Sequence, residues 1–148
     1  EESYMRLSDK AMMPTDSKVV FLDTSAILSN SNYLRRNSTY IVTTGVMQEL
    51  QGLSYAEEPV GGIAQCEYER LRELLAAGDK GVYLFRSRVR ESTEISELSN
   101  VDRNIIDCAK CFKDAMILSA DTALCRMAES FGIPTCKIRT RDTNIVVA

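Results

Sequence analysis

The sequence predicts an α/β fold, a three-layer α/β/α sandwich around a mainly parallel sheet. Three observations predict it. Short apolar runs alternate with helical patterns along the chain, the runs are too apolar to face solvent on one side, and just past two of them an aspartate opens the next helix. Alternation of this kind is how parallel strands and their crossover helices are written in sequence.

The first run, 18–22, reads KVVFL and leads straight into Asp23-Thr24-Ser25, a polar triplet that opens a short helix through Ala26, Ile27 and Leu28. The second, 40–43, is YIVT; Thr44 is a fitting N-cap for a helix over 44–53, whose Val46, Met47, Leu50 and Leu53 share one side. Pro59 and Gly61-Gly62 make 54–62 a loop. A helix over 63–77 then carries an apolar stripe of Leu71, Leu74 and Leu75, with Glu67, Glu69, Arg70, Arg72 and Glu73 on the solvated remainder, and Gly78 closes it. Residues 81–90 form a strand or extended edge that aims Arg86, Arg88 and Arg90 the same way. After a loop over 91–98, a helix starting at Ser99 or Asn100 packs through Ile105, Ile106, Ala109 and Phe112. A strand over 115–118, a helix capped by Asp121 and ended by Gly132, and a last short strand over 134–138 complete the order. Residues 1–17 show no sustained period and are expected to form a flexible arm before a domain spanning 18–148.

Composition narrows the function classes. The 148 residues are 45% hydrophobic with a net charge of −3, which suits one buried core and argues against a dedicated, strongly basic nucleic-acid module. No apolar run reaches membrane-spanning length, so no membrane role is expected. Five cysteines, an odd number without framework spacing, read as reduced core residues of an intracellular protein in cytoplasm or nucleus. Cys108-x-x-Cys111 has neither a second pair nor any histidine to complete a zinc site. The chain opens on Glu1 without a signal-peptide pattern and is read as a piece of something longer.

The chemistry resides in four acids. Asp23 and Asp121 both follow apolar strands at the edge where open parallel sheets bind ligands. Glu49 lies about a turn and a half into the helix after the second strand, and Asp102 lies in the first turn of the helix before the 115–118 strand, so all four reach one rim. Gathered carboxylates repel one another, and a hard divalent cation, Mg²⁺ or Mn²⁺, removes that cost. Such an ion lowers the pKa of a bound water and stabilises charge on a departing phosphodiester oxygen, chemistry that needs no histidine. Taken singly, three of the acids have bland explanations: Asp121 as an N-cap, Asp102 as a dipole-favoured first-turn residue, Glu49 as a solvated helix position. Asp23 does not, because a carboxylate ending so apolar a strand needs a partner.

These residues resemble the motifs of PIN domains. Val20-Phe-Leu-Asp23-Thr24-Ser25-Ala26 is similar to the first motif, Val46-Met-Gln-Glu49-Leu50 to the second, Asn100-Val-Asp102-Arg-Asn-Ile-Ile to the third, and Ile117-Leu-Ser119-Ala-Asp121 to the fourth. The resemblance spans about 18–138 and is closer to PIN domains of eukaryotic RNA-decay factors, such as the exosome's catalytic subunit, than to small bacterial toxins. It implies a metal-dependent endoribonuclease acting on single-stranded or flexible RNA in processing or decay. Asp23, Glu49, Asp102 and Asp121 then correspond to the acidic metal ligands, and Ser25 and Ser119 to the supporting hydroxyls. Val101 and Ala120 stand where some members carry a second acid. Asp107, five residues past Asp102, faces elsewhere on its helix.

For substrate contacts the sequence offers Arg86, Arg88 and Arg90, Arg35 and Arg36, and a similarly spaced Lys137, Arg139 and Arg141; solvated strand faces explain the same spacing. Other domains or subunits of an RNA-processing complex are the expected protein partners. The competing readings are a catalytically silent PIN fold used as a protein platform, and a Rossmann-like nucleotide binder, against which stands the lack of a glycine-rich loop after any strand.

Overall fold

Ten elements carry the chain through the computed structural model, which describes residues 19–29, 33–34, 38–78, 81–89 and 98–138. They are β1 (Val19–Leu22), α1 (Thr24–Ser29), β2 (Thr39–Thr43), α2 (Thr44–Leu53), α3 (Val60–Ala77), β3 (Val82–Phe85), α4 (Asn100–Ala109), β4 (Ala115–Ser119), α5 (Thr122–Ser130) and β5 (Thr135–Lys137). The arm expected over 1–17, and Arg35, Arg36, Arg90, Arg139 and Arg141, lie outside the described residues.

The strands form one sheet in the order β3-β2-β1-β4-β5, and every pairing is parallel. That is the expected α/β sandwich. Its central strands are apolar because helices cover both faces: all five residues of β2 are buried, as are Phe21, Leu22, Ile117 and Leu118. Right-handed crossovers put α1, α2 and α3 on one face on the way out to β3; the chain then crosses back to β4, so α4 and α5 cover the other face. The direction of winding thus reverses between β1 and β4, and a crevice opens at their carboxyl ends.

Rings from β1, β3 and the turn after α4 meet at the core. Phe21 lies 6.2 Å from Phe85 and 5.5 Å from Phe112, with Phe85 and Phe112 5.8 Å apart, all tilted or edge-on. Removing the Phe21 ring costs roughly 3–5 kcal/mol by the usual scale of such cavities, so the β1 spine that carries Asp23 is rigidly held.

Four local readings are corrected. The helix expected from residue 63 begins at Val60, because Gly61 and Gly62 are not breakers but sites of close approach. A Cβ at 61 would stand 2.2 Å from the Ala56 carbonyl oxygen, and one at 62 would stand 2.6 Å from Glu58 Oε1, which accepts a hydrogen bond from the Gly62 amide. The cap of α2 is Thr43, whose hydroxyl accepts from the Val46 amide, and Thr44 instead donates to the Phe85 carbonyl. Glu67 is buried rather than solvated, because the Tyr33 hydroxyl donates to it at 2.6 Å and Arg70 stands 3.5 Å away. Cys111 is exposed because α4 ends at Ala109, whereas Cys108 is a core residue as expected; Cys66 is also exposed.

Candidate active site

Asp23 follows the last residue of β1 and is 1% exposed. Its amide donates to the Leu118 carbonyl of the neighbouring strand, so the sheet register places it beside the end of β4. Oδ1 accepts from the Ala26 amide at 2.8 Å, Oδ2 from the Ser119 hydroxyl at 2.6 Å, and the Ser25 hydroxyl sits 2.9 and 2.8 Å from the two oxygens. A carboxylate offers about four lone-pair sites, and three protein donors occupy three of them. One direction is left for a cation. Burial pushes the Asp23 carboxyl above its ordinary range, a shift opposed by the hydrogen bonds from Ser119, Ala26 and Ser25 and reinforced by the charge of Asp121.

The two serines stitch the strand ends together. Ser25 Oγ accepts from the Ala120 amide at 2.9 Å, and Ser119 Oγ accepts from the Asp121 amide at 2.9 Å, while both hydroxyls turn their protons to Asp23. Asp121 itself caps α5, its Oδ1 accepting from the amides of Ala123 and Leu124. Capping uses that one oxygen and leaves Oδ2 available, so the structural and functional readings of Asp121 are compatible.

Glu49 and Asp102 arrive from helices. Ser99 caps α4 by accepting from the Asp102 amide, which fixes Asp102 in the first turn. Its carboxyl is pushed up to about 7, first by burial and then by the charges of Asp23, Asp121 and Glu49 in turn. The other three predicted acids therefore lie within electrostatic reach of Asp102. Glu49 is half-buried, and its Oε1 accepts from the Thr24 hydroxyl at 2.5 Å. Sequence marks Thr24 only as part of the triplet that opens α1; its partner 25 residues away is invisible in sequence spacing. Asp107 is exposed and pairs with Lys110 at 4.0 Å, apart from this group as expected.

Does this donor set suit a divalent metal? Its chemistry does: oxygen donors only, two of them held above their ordinary pKa, and among the described residues no ion pair from Lys or Arg to any of the four. Nor, among the described residues, do three acids or thiols close into a ready-made cage. An open set of this kind suits Mg²⁺, which keeps several waters and binds through one or two carboxylates together with substrate phosphate oxygens.

Cations stand at both edges of the same rim. Arg86 and Arg88 are exposed just beyond β3, with Ser87 buried between them, so they point the same way. The Ser87 amide donates to the Thr44 hydroxyl, and Asn104 of α4 donates to Ser87 Oγ at 2.7 Å and to the Arg88 carbonyl at 3.4 Å, tying this segment to the helix that bears Asp102. Gly45 allows the approach of Val89, whose Cγ2 a Cβ would meet at 2.7 Å. At the other edge the Lys137 ammonium donates to the Thr122 hydroxyl, one residue from Asp121.

A family model described as PIN domain matches residues 20–139, a stretch that begins in β1 and includes all four acids. The chain belongs to the PIN-domain family. PIN domains are commonly nucleases and typically use divalent metals. Among solved structures, the chain is similar to a domain of a functionally unknown protein from Methanocaldococcus jannaschii DSM 2661, with a TM-score of 0.62 at 19% identity over 85% of this chain and 94% of that one. A weaker likeness is to a PilT N-terminus domain protein from Sulfolobus solfataricus P2, with a TM-score of 0.47 at 14% identity over 80% of this chain and 86% of that one. The first likeness concerns the fold alone. Curated proteins give no match.

Proposed function

We propose that this PIN domain is a metal-dependent endoribonuclease that hydrolyses phosphodiester bonds of single-stranded or flexible RNA. The observation that carries this reading is the approach of Asp23, Glu49 and Asp121 to Asp102 without a neutralising cation among the described residues, with Asp102 pushed up to about 7 by burial and those three charges. A scaffold gains nothing from four repelling carboxylates.

In this reading the four carboxylates hold Mg²⁺ or Mn²⁺, which when bound supplies an activated water and stabilises charge on the leaving oxygen. Asp23 is the fixed ligand, since its serine and amide donors prevent the carboxylate from turning. Asp121 and Asp102 are aimed by helix caps, and Glu49 comes from the α2 side. Arg86 and Arg88 at one edge and Lys137 at the other contact phosphates of a strand lying across the rim; β3 stands two strands from β1, roughly 10 Å by ordinary strand spacing. The five cysteines, an odd number without framework spacing, support work in a reducing compartment, cytoplasm or nucleus.

The test is cleavage of labelled single-stranded RNA and DNA in Mn²⁺, Mg²⁺ or EDTA. Internal cuts in RNA that need metal and stop in EDTA support the proposal; cuts in DNA alone reassign the substrate. No cleavage of either, with protein partners still bound, leaves the silent-platform reading.

A further inference from the structure

We infer that Thr24 is a positioning residue for Glu49: its buried hydroxyl, not the α2 helix itself, aims this carboxylate at the acidic rim. The inference rests on the metal reading above and deepens it.

The four acids are held very unequally. Asp23 receives three donors and sits on the sheet, Asp121 is fixed by two amides, and Asp102 lies in a capped first turn. Glu49 is the one with the longest side chain, and it stands in the sixth position of α2, away from any cap. Ordering a glutamate side chain costs rotamer freedom among the largest of any residue, so it does not hold one pose without a partner. Among the described residues Thr24 is the sole hydrogen-bond partner of that carboxylate.

The Thr24 hydroxyl also has no local task. A threonine near a helix start ordinarily serves its own backbone. Here Asp23 already does so, through Oδ1 to the Ala26 amide and its carbonyl to the Ile27 amide. Thr24 is buried, which limits its rotation, and its proton goes instead to Glu49 Oε1 at 2.5 Å, leaving Oε2 for a cation. Because Thr24 directly follows Asp23, one backbone turn fixes both a sheet-borne and a helix-borne acid. The distance between those two acids is thereby set by a covalent neighbour and one hydrogen bond.

The experiment follows thermal unfolding against Mn²⁺ concentration for the parent, Thr24→Val, Thr24→Ser, Glu49→Gln, and Thr24→Val combined with Glu49→Gln. Valine keeps the shape and removes the donor; serine keeps the donor and removes the methyl. Outer partners of metal ligands typically carry 10- to 100-fold in metal affinity, so Thr24→Val should raise the half-saturating Mn²⁺ by about 10-fold or more. Thr24→Ser should stay close to the parent, and the double variant should be no weaker than Glu49→Gln alone, because both changes remove one unit. Equal half-saturation in Thr24→Val and the parent overturns the inference, as does a serine variant as weak as the valine one, or full additivity with Glu49→Gln. A parent whose unfolding Mn²⁺ does not shift overturns the metal reading and this inference together, so the two failures are distinguishable.

Discussion

The sheet-borne half of the rim and the helix-borne half solve the same problem differently. Asp23 and the residues around Asp121 are placed by strand register: Leu22 pairs with Leu118, Ser119 reaches across to Asp23, and the Ser25 and Ser119 hydroxyls that hold Asp23 are themselves tied to the Ala120 and Asp121 amides. Glu49 and Asp102 are placed by helices and held by Thr24 and the Ser99 cap. Hydrogen bonds are densest at the topological reversal and fewer towards the helices. The sheet half therefore supplies a fixed point, and the helix half supplies Glu49, held by one hydroxyl, and Asp102, whose carboxyl is pushed up by burial and its neighbours.

The largest effect comes from breaking the fixed point. Asp23→Asn should lower metal-dependent cleavage by more than the roughly 100-fold that an outer-shell partner carries. Its fold should survive: the Ala26 amide holds the remaining oxygen, and the new amide group faces Ser119 Oγ, which can accept in place of donating. Metal-free melting should be unchanged or raised, because one repelling charge is gone. Full activity in the folded variant contradicts the assignment.

Ser119→Ala separates the halves next. It strips a donor from Asp23 and leaves the part-buried Asp121 amide without its partner, which costs less than the roughly 1–3 kcal/mol of a fully buried donor. A lowered melting temperature together with weaker Mn²⁺ binding is expected, whereas Thr24→Val should weaken Mn²⁺ binding with little loss of stability. Identical profiles for the two variants would erase the distinction between the halves.

Asp102 carries the pH dependence of the helix half. The Asp102 carboxyl, ordinarily near 3.8 in the unfolded chain, is pushed up to about 7, so the folded state holds more protons between those values. Stability without metal must then fall as pH rises through that window, with higher melting near about pH 5 than near about pH 8 from this group. Asp102→Asn should flatten the dependence, and saturating Mn²⁺ should reduce it. A metal-free melting temperature that Asp102→Asn leaves equally pH-dependent counts against the arrangement.

Smallest are the effects of the edges. Changing Arg86 and Arg88 to Ala should raise KM while kcat stays nearly intact, and should lower the slope of log affinity against log salt by about 0.7 for each lost phosphate contact on a single strand. An unchanged slope makes them a solvated edge.

What the sequence revealed follows the same division. Asp23 and Asp121 were legible because apolar runs ending in an acid are visible locally, and Ser99 and Asp121 announce their own helices. Thr24 was not, since its role is a bond to a residue on another helix, and neither was buried Glu67, whose partner Tyr33 comes from a distant segment. Gly61 and Gly62 misled for a related reason: a glycine that permits close approach looks the same in sequence as one that breaks a helix. Long-range partners leave no period to read.

The claim that four carboxylates share one metal site is tested most directly by calorimetric titration of Mn²⁺ into the parent and into Asp23→Asn, Glu49→Gln, Asp102→Asn and Asp121→Asn, each checked for folding. The account predicts saturable binding by the parent and weaker binding in every variant, weakest in Asp23→Asn. No binding by the parent, or folded variants that bind as tightly as it does, would contradict it.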